Sequence, residues 1–160
     1  MSKTVWTFTN QRELDKNQFI DYIKRKIFRT IRKYDMLPKD KIITMKNNNS
    51  LNYNILKKII ETKFQVKESN TPNILTDNLS EVAEDIFKNI LQGNYTGPAP
   101  KKRPLYFLSD KELELYGKLT DIEGKKRNQD EKIQNLFEKF LKKNQDLELN
   151  VVKALSQFGE

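Results

Sequence analysis

The sequence contains neither cysteine nor histidine. Without a thiol or an imidazole, this chain alone cannot relay a persulfide, ligate an iron–sulfur cluster or build a zinc site from cysteine and histidine ligands. Serine–histidine and cysteine–histidine catalysis are excluded for the same reason. Acid–base work by carboxylates remains, and the simpler expectation is no catalysis at all. The sequence therefore predicts no metal site and no cofactor.

Long apolar runs are also missing. No stretch of about 18 apolar residues occurs, so no membrane-spanning helix and no membrane partner are expected. The first residues lack the apolar core of a secretory signal. We expect a cytoplasmic protein, with a mitochondrial location as the alternative if a presequence has been removed. A hydrophobic content of 36% is low, yet sufficient for one modest core.

The apolar residues that are present recur mostly at helical spacing. Phe19, Ile23, Ile27 and Ile31 follow one another every four residues and predict a helix over Phe19–Asp35. Similar patterns predict further helices at Leu51–Thr62, Leu79–Leu91, Lys111–Leu119, Gln129–Lys143 and Asp146–Phe158. Two short segments predict strands instead: Val5–Thr9, which alternates, and Lys41–Met45, which is mostly apolar. We divide the chain into a domain at 1–128 and a C-terminal helical extension at 129–160 that packs on the same domain.

The helix predicted at Leu79–Leu91 is amphipathic. We expect its apolar side chains to lie against the sheet and its charged side chains to face solvent. The expected inward residues are Val82, Ala83, Ile86, Phe87 and Ile90, and the expected outward residues are Glu81, Glu84 and Lys88.

A resemblance to a known family rests on the order of short motifs in the second half of the chain. The residues that carry it are Ala83-Glu84, Asn89-Ile90-Leu91, Gly93, Arg103-Pro104-Leu105, and Glu112 with Tyr116. In this order they resemble the ATP-pyrophosphatase (PP-loop) domain of the cytoplasmic tRNA 2-thiolation proteins. The turn Thr76–Glu81 keeps only Asn78 and Glu81 of the family's acidic motif, so the chain is identified as a degenerate member of that superfamily.

The resemblance implies an α/β fold in which a small, mostly parallel sheet is flanked by helices. Its strands are expected at Ile42–Met45, Phe64–Val66, Asn73–Thr76 and Tyr106–Leu108. Parallel neighbours follow from the alternation of strand, helix and strand. The short separation between Ser50 and Thr76 leaves room for one helix and one strand, so we expect an abbreviated PP-loop domain with a helical C-terminal tail.

A polar run stands where the family places the loop that grips ATP phosphates. Its residues are Lys46, Asn47, Asn48, Asn49 and Ser50. The run has no glycine to let a phosphate approach the backbone closely, although asparagine adopts positive φ more readily than other residues. Two interpretations stay open: an ordinary strand-to-helix turn capped by Ser50, or a vestigial nucleotide site built from this run.

The net charge of +8 is concentrated in clusters, which favours an RNA-facing surface. The candidate RNA-binding residues are Lys24, Arg25, Arg29, Arg32 and Lys33 on the first helix, and Tyr95, Lys101, Lys102 and Arg103 around the Gly-Pro loop. A further basic cluster occurs at Lys125-Lys126-Arg127. The alternatives are solvated helix faces and contact with an acidic protein.

Three functions are compatible with these features. The leading hypothesis is a non-catalytic paralogue of the tRNA 2-thiolation enzymes that acts as an RNA-binding or partner subunit of a tRNA-modifying complex. The second is a structural protein of a ribosome or another ribonucleoprotein. The third is an active ATP-dependent tRNA-modifying enzyme with a diverged loop. The expected partners are RNA (tRNA or rRNA) and another protein.

Overall fold

The computed structural model describes residues 3–141 and 145–158. These residues form an α/β structure of helices joined to short strands. In chain order the elements are β1 (Thr4–Thr7), β2 (Glu13–Asp15), α1 (Lys16–Lys33), β3 (Ile42–Met45), α2 (Leu51–Ile60), β4 (Gln65–Glu68), α3 (Leu79–Leu91), α4 (Asp110–Thr120), α5 (Glu131–Leu141) and α6 (Leu147–Phe158). In these residues no helix is long and apolar enough to cross a membrane.

The predicted helices are present, with ends that differ by a few residues from those expected. α1 begins three residues before Phe19 because Asp15 caps it and Gln18 completes a capping box. α3 has the predicted bounds and is capped by Asn78. The helix predicted at Gln129–Lys143 runs from Glu131 to Leu141, and Lys142 and Lys143 lie outside the described residues.

The strand expected near Val5 is part of a hairpin. β1 pairs with β2 in antiparallel orientation, and Trp6 is opposite Leu14. The sequence did not predict β2. Its three residues are too few for a recognisable alternation, and its pairing depends on the tight turn between the strands, where Gln11 has a positive φ of 70°.

The parallel sheet is smaller than expected. β3 pairs with β4 in parallel, from Ile42 opposite Gln65 to Met45 opposite Glu68. No strand forms at Asn73–Thr76 or Tyr106–Leu108, both of which lie within the described residues, so these two expectations were wrong.

Hydrogen bonds of two kinds explain the two missing strands. The side chain of Asn73 accepts from the amide of Thr44 at 2.9 Å and donates to the carbonyl of Ile42 at 3.3 Å, so a side chain fills positions that a strand backbone would use. In the other segment, the amides of Tyr106 and Leu108 donate to carbonyls three residues earlier, which closes turns instead of a ladder.

Two hydrophobic clusters make up the interior. The larger one joins the inner faces of α1, β3, α2 and α4 and includes Phe19, Ile43 and Ile55, each with 0% exposure. The smaller one joins α3 to α5 and α6 and includes Ile86 and Phe137. α3 had been expected to lie against the sheet, but it lies mainly against α6 and α5. The division of the chain at residue 128 stays a prediction.

The faces of α3 were predicted correctly only in part. Val82, Ala83 and Ile86 are buried, whereas Phe87 is only half-buried. Glu84, which we expected to face solvent, is 3% exposed because it forms ion pairs within the protein.

The packing of α3 gives a test of this arrangement. Replacing Ile86, which has no exposed surface, with alanine should lower the free energy of unfolding by about 2–5 kcal/mol, the usual cost of such a truncation in a core. Leu91, on the same helix, is 69% exposed, so Leu91→Ala should change stability by less than about 0.5 kcal/mol. Urea unfolding followed by circular dichroism measures both, and equal losses would show that the helix faces are assigned wrongly.

Candidate functional site

The polar loop between β3 and α2 lies at the carboxyl end of a parallel strand, where α/β folds commonly bind ligands. Asn49 has a φ of 57°, so an asparagine adopts the left-handed conformation that glycine favours. Ser50 caps α2, because its hydroxyl accepts from the amide of Tyr53 at 3.0 Å. Lys46 and Asn47 are exposed at the start of the loop.

Three amide groups at the end of this loop are already bonded within the protein. The side chain of Asn47 accepts from the amide of Asn49 at 2.9 Å, and the side chain of Asn48 accepts from the amide of Ser50 at 3.1 Å. The amide of Leu51 donates to the carbonyl of Lys125 at 2.9 Å. A phosphate loop needs several such amides pointing at the anion. Here they point at oxygen atoms of the chain itself.

A second segment, residues 123–125, covers the loop. The amide of Lys125 donates to the carbonyl of Asn49 at 2.9 Å, and the side chain of Asn54 donates to the carbonyl of Glu123 at 2.7 Å. Between them, Gly124 is so close to the loop that a Cβ atom at this position would lie 2.5 Å from the amide nitrogen of Leu51. Only a glycine permits this approach of two backbones.

A cavity of about 260 Å³ lies beside the covered loop. It is bordered by the loop, by the turn before α3 and by residues 125–128. Its lining carries charges of both signs, since Lys125, Lys126 and Arg127 are cationic and Asp77 and Glu81 are carboxylic. Among residues 3–141 and 145–158, no group of three or more carboxylates is placed to hold a metal ion.

Arg127 is the most buried cation of this region. Its guanidinium bonds to Asp110 through Nε at 3.0 Å and to Glu84 through Nη1 at 3.2 Å. Its Nη2 also lies 2.9 Å from Asp110, in an ionic contact that is not an aligned hydrogen bond. In the sequence, Arg127 follows two lysines and was predicted only as part of that basic cluster, so its role in joining α3 to α4 was missed. The sequence does not distinguish Arg127 from these lysines, because its burial depends on how the chain folds.

Glu81 lies in the first turn of α3 beside the cavity. Burial and the negative charge of Asp77 raise the pKa of Glu81 to about 7. Arg127 acts in the opposite direction and lowers this pKa, and the smaller effects of Asp85 and Asp110, which raise it, are included in the value of about 7. Glu81 is therefore a carboxyl group that gains or loses a proton near neutral pH.

The candidate RNA-binding residues of α1 lie along its outer side. Arg25, Arg29, Arg32 and Lys33 are exposed, and Lys24 is half-buried. Arg25 forms an ion pair with Asp21 at 3.0 Å.

The second candidate group, around the Gly-Pro loop, does not behave as one exposed surface. Lys101 and Lys102 are exposed, and Tyr95 is 55% exposed. Arg103 is instead held inside, where its guanidinium bonds to Asp77 at 2.9 Å and to the carbonyl of Ala99 at 3.1 Å. Arg103 thereby ties the Gly-Pro loop to the turn that borders the 260 Å³ cavity. A role for any of these residues in RNA binding stays a prediction.

The contact at Gly124 gives a first test of the covered loop. Gly124→Ala should lower the free energy of unfolding by about 1–3 kcal/mol, because the added methyl group has to push two backbone segments apart. Glu123→Ala is the matched control, since Glu123 contributes only its carbonyl to the contact and its side chain is exposed. Urea unfolding of both variants measures the difference, and a neutral Gly124→Ala change would show that residues 123–125 do not lie on the loop.

The pKa of Glu81 gives a second test. Between the usual pKa of 4.5 and about 7, the folded protein keeps a proton on Glu81 that the unfolded chain has lost. The contribution of this group to stability is therefore present below pH 4.5 and is lost as the pH rises towards 7. Glu81→Gln, which does not titrate, should gain stability relative to the wild type between pH 5 and pH 8. Glu123→Gln, at an exposed position, should show no such gain in stability over the same pH range. A difference in the free energy of unfolding between Glu81→Gln and the wild type that does not change with pH would contradict the raised pKa of Glu81.

Comparisons with known proteins give one informative result. No protein-family model matches the sequence, and no curated protein sequence does either. Among solved structures, the chain is similar to the U34-tRNA thiolase NcsA from Methanococcus maripaludis with its [4Fe-4S] cluster, with a TM-score of 0.75 and 10% sequence identity. The alignment covers 97% of this chain and 84% of that chain. At this identity the likeness shows a shared fold and no more.

Proposed function

We propose that this chain is a non-catalytic relative of the tRNA 2-thiolation proteins and acts in the cytoplasm as an RNA-binding or partner subunit of a tRNA-modifying complex. The proposal starts from the likeness in fold to a tRNA thiolase over almost the whole chain. The proposal that the chain is non-catalytic rests on the hydrogen bonds of the polar loop. Its amides at Asn49, Ser50 and Leu51 donate to oxygen atoms of the chain, so a phosphate would have to displace these bonds, which supports the absence of catalysis.

The chemistry of the chain supports the same proposal. The thiolase that it resembles carries a [4Fe-4S] cluster, and cluster ligands in proteins are mostly cysteine thiolates. This chain has no cysteine. A relative that lacks both the open phosphate loop and the thiolates is suited to supplying binding surface to a complex whose chemistry another subunit performs. The net charge of +8 makes a nucleic acid or an acidic protein surface the natural counterpart.

A native pull-down from the source cells, analysed by mass spectrometry, tests this function. We expect a cysteine-bearing tRNA thiolation enzyme to be retained in stoichiometric amount, together with tRNA. Ribosomal proteins and rRNA in place of the enzyme would instead indicate a structural component of a ribonucleoprotein. Release of AMP from ATP by the purified chain on addition of tRNA, abolished by Ser50→Ala, would show an active enzyme and contradict the proposal.

A further inference from the structure

A groove between the β1–β2 hairpin and α1 carries an excess of positive charge. Its volume is about 560 Å³, and it is separate from the cavity beside the polar loop. Four cationic side chains line it with one carboxylate, and these residues are Arg12, Arg25, Lys26, Arg29 and Asp21. Lys26 belongs to the basic cluster that the sequence shows on the first helix, whereas Arg12 was not among the residues that the sequence pointed to. Arg12 becomes a neighbour of Arg25 and Arg29 only because the hairpin folds back onto the helix.

The positions of these side chains follow from the elements that carry them. Arg25 and Arg29 are four residues apart on α1, so they share one face, and Arg32 continues that face by a further turn. At 1.5 Å per residue, the row from Arg25 to Arg32 is about 10 Å long. Arg12 reaches the groove from the hairpin turn, where its guanidinium lies 5.9 Å from the centre of the Phe8 ring.

Lys26 is held in the groove by a short chain of hydrogen bonds. Its ammonium group donates to the hydroxyl of Tyr22 at 3.0 Å, and that hydroxyl donates to Glu112 at 2.6 Å. Burial lowers the pKa of Lys26, the negative charge of Glu112 raises it, and the positive charge of Arg29 lowers it. A bound anion would relieve the cost of burying this ammonium group.

Among the described residues, most of the cations in the groove have no direct ion-pair partner. Asp21 forms its ion pair with Arg25. In the part of the chain that the structure describes, Arg12, Lys26 and Arg29 have no carboxylate within ion-pair distance. Such a set is suited to an anion that carries several acceptor oxygens, and arginine forks bind phosphate through paired hydrogen bonds.

We propose that this groove binds the phosphodiester backbone of RNA, with one phosphate between Arg12 and Arg29 above Lys26 and the next phosphates along the row towards Arg32. The inference rests on the proposed function and specifies where that subunit holds its RNA. The contact is to backbone and not to bases, because the cations form a row. Tyr22, the aromatic residue of the lining, already bonds Lys26 and Glu112 through its hydroxyl and packs its ring against Phe8 and Phe19.

RNA fits the groove better than an acidic protein does. Protein interfaces depend on exposed aromatic or aliphatic anchors at their centre. The large exposed apolar side chains of the described residues are Leu91, Tyr95 and Leu136, and none of them lines the groove. Leu14, the aliphatic residue of the lining, is 3% exposed and belongs to the core.

Filter binding of a tRNA transcript over a range of salt concentrations tests the groove. The double variant Arg12→Gln/Arg29→Gln removes two charges from it, and Lys39→Gln/Lys58→Gln removes two exposed charges elsewhere. For the groove variant, the slope of log K against log salt should become shallower by about 1.4–1.8, because each lost phosphate contact contributes about 0.7–0.9. Binding near 0.1 M salt should also weaken at least tenfold, while the control variant keeps the wild-type slope.

Any other outcome contradicts the proposal that the groove binds RNA. The outcomes also distinguish a failure of this proposal from a failure of the proposed function. If the wild type binds tRNA and both double variants keep its slope, the RNA lies elsewhere on the protein and the proposed function stands. If the wild type binds no tRNA at low salt, the groove proposal fails, and the pull-down decides independently whether the chain is a partner subunit. Thermal melting of both variants at the wild-type temperature excludes unfolding as the cause of a loss.

Discussion

The buried ion group around Arg127 connects the parts of this protein. The guanidinium bonds Glu84 on α3 and Asp110 at the start of α4, while the amide of Asp130 and the side chain of Gln134 also donate to Glu84. Three parts of the protein thus meet at the carboxylates of Glu84 and Asp110. They are α3 of the smaller cluster, α4 of the larger cluster and the segment that leads into α5. Removal of one partner from such a buried group usually costs about 3–5 kcal/mol, so Arg127 contributes strongly to holding the two clusters together.

Helices were easier to predict from this sequence than strands, for a physical reason. The repeat of Phe19, Ile23 and Ile27 is long enough to define a period, although it did not reveal that the cap at Asp15 starts α1 three residues before Phe19. The strands have at most four residues, too few to show a period of two. Whether a segment joins a sheet then depends on contacts distant in sequence, such as the side chain of Asn73 on β3.

The candidate site shows the same limit at the level of single residues. The sequence was sufficient to locate the polar loop and the cap at Ser50, because both follow from local residue types. It could not predict the covering segment, because the bond between Leu51 and Lys125 joins residues far apart in the chain. The burial of Glu84 and Arg127 and the pairing of Arg103 with Asp77 were hidden in the same way. The sequence alone does not distinguish a charged residue in water from one that is buried against another side chain.

The hydrogen bonds of the polar loop have a consequence for how such a site could change by mutation. The amides of Asn49, Ser50 and Leu51 are each bonded to a different acceptor, which lies at Asn47, Asn48 and Lys125 respectively. A single substitution frees at most one of these amides, and the backbone carbonyl of Lys125 cannot be removed by changing a side chain. Opening all three amides to a ligand therefore takes more than one substitution and the loss of more than one internal bond.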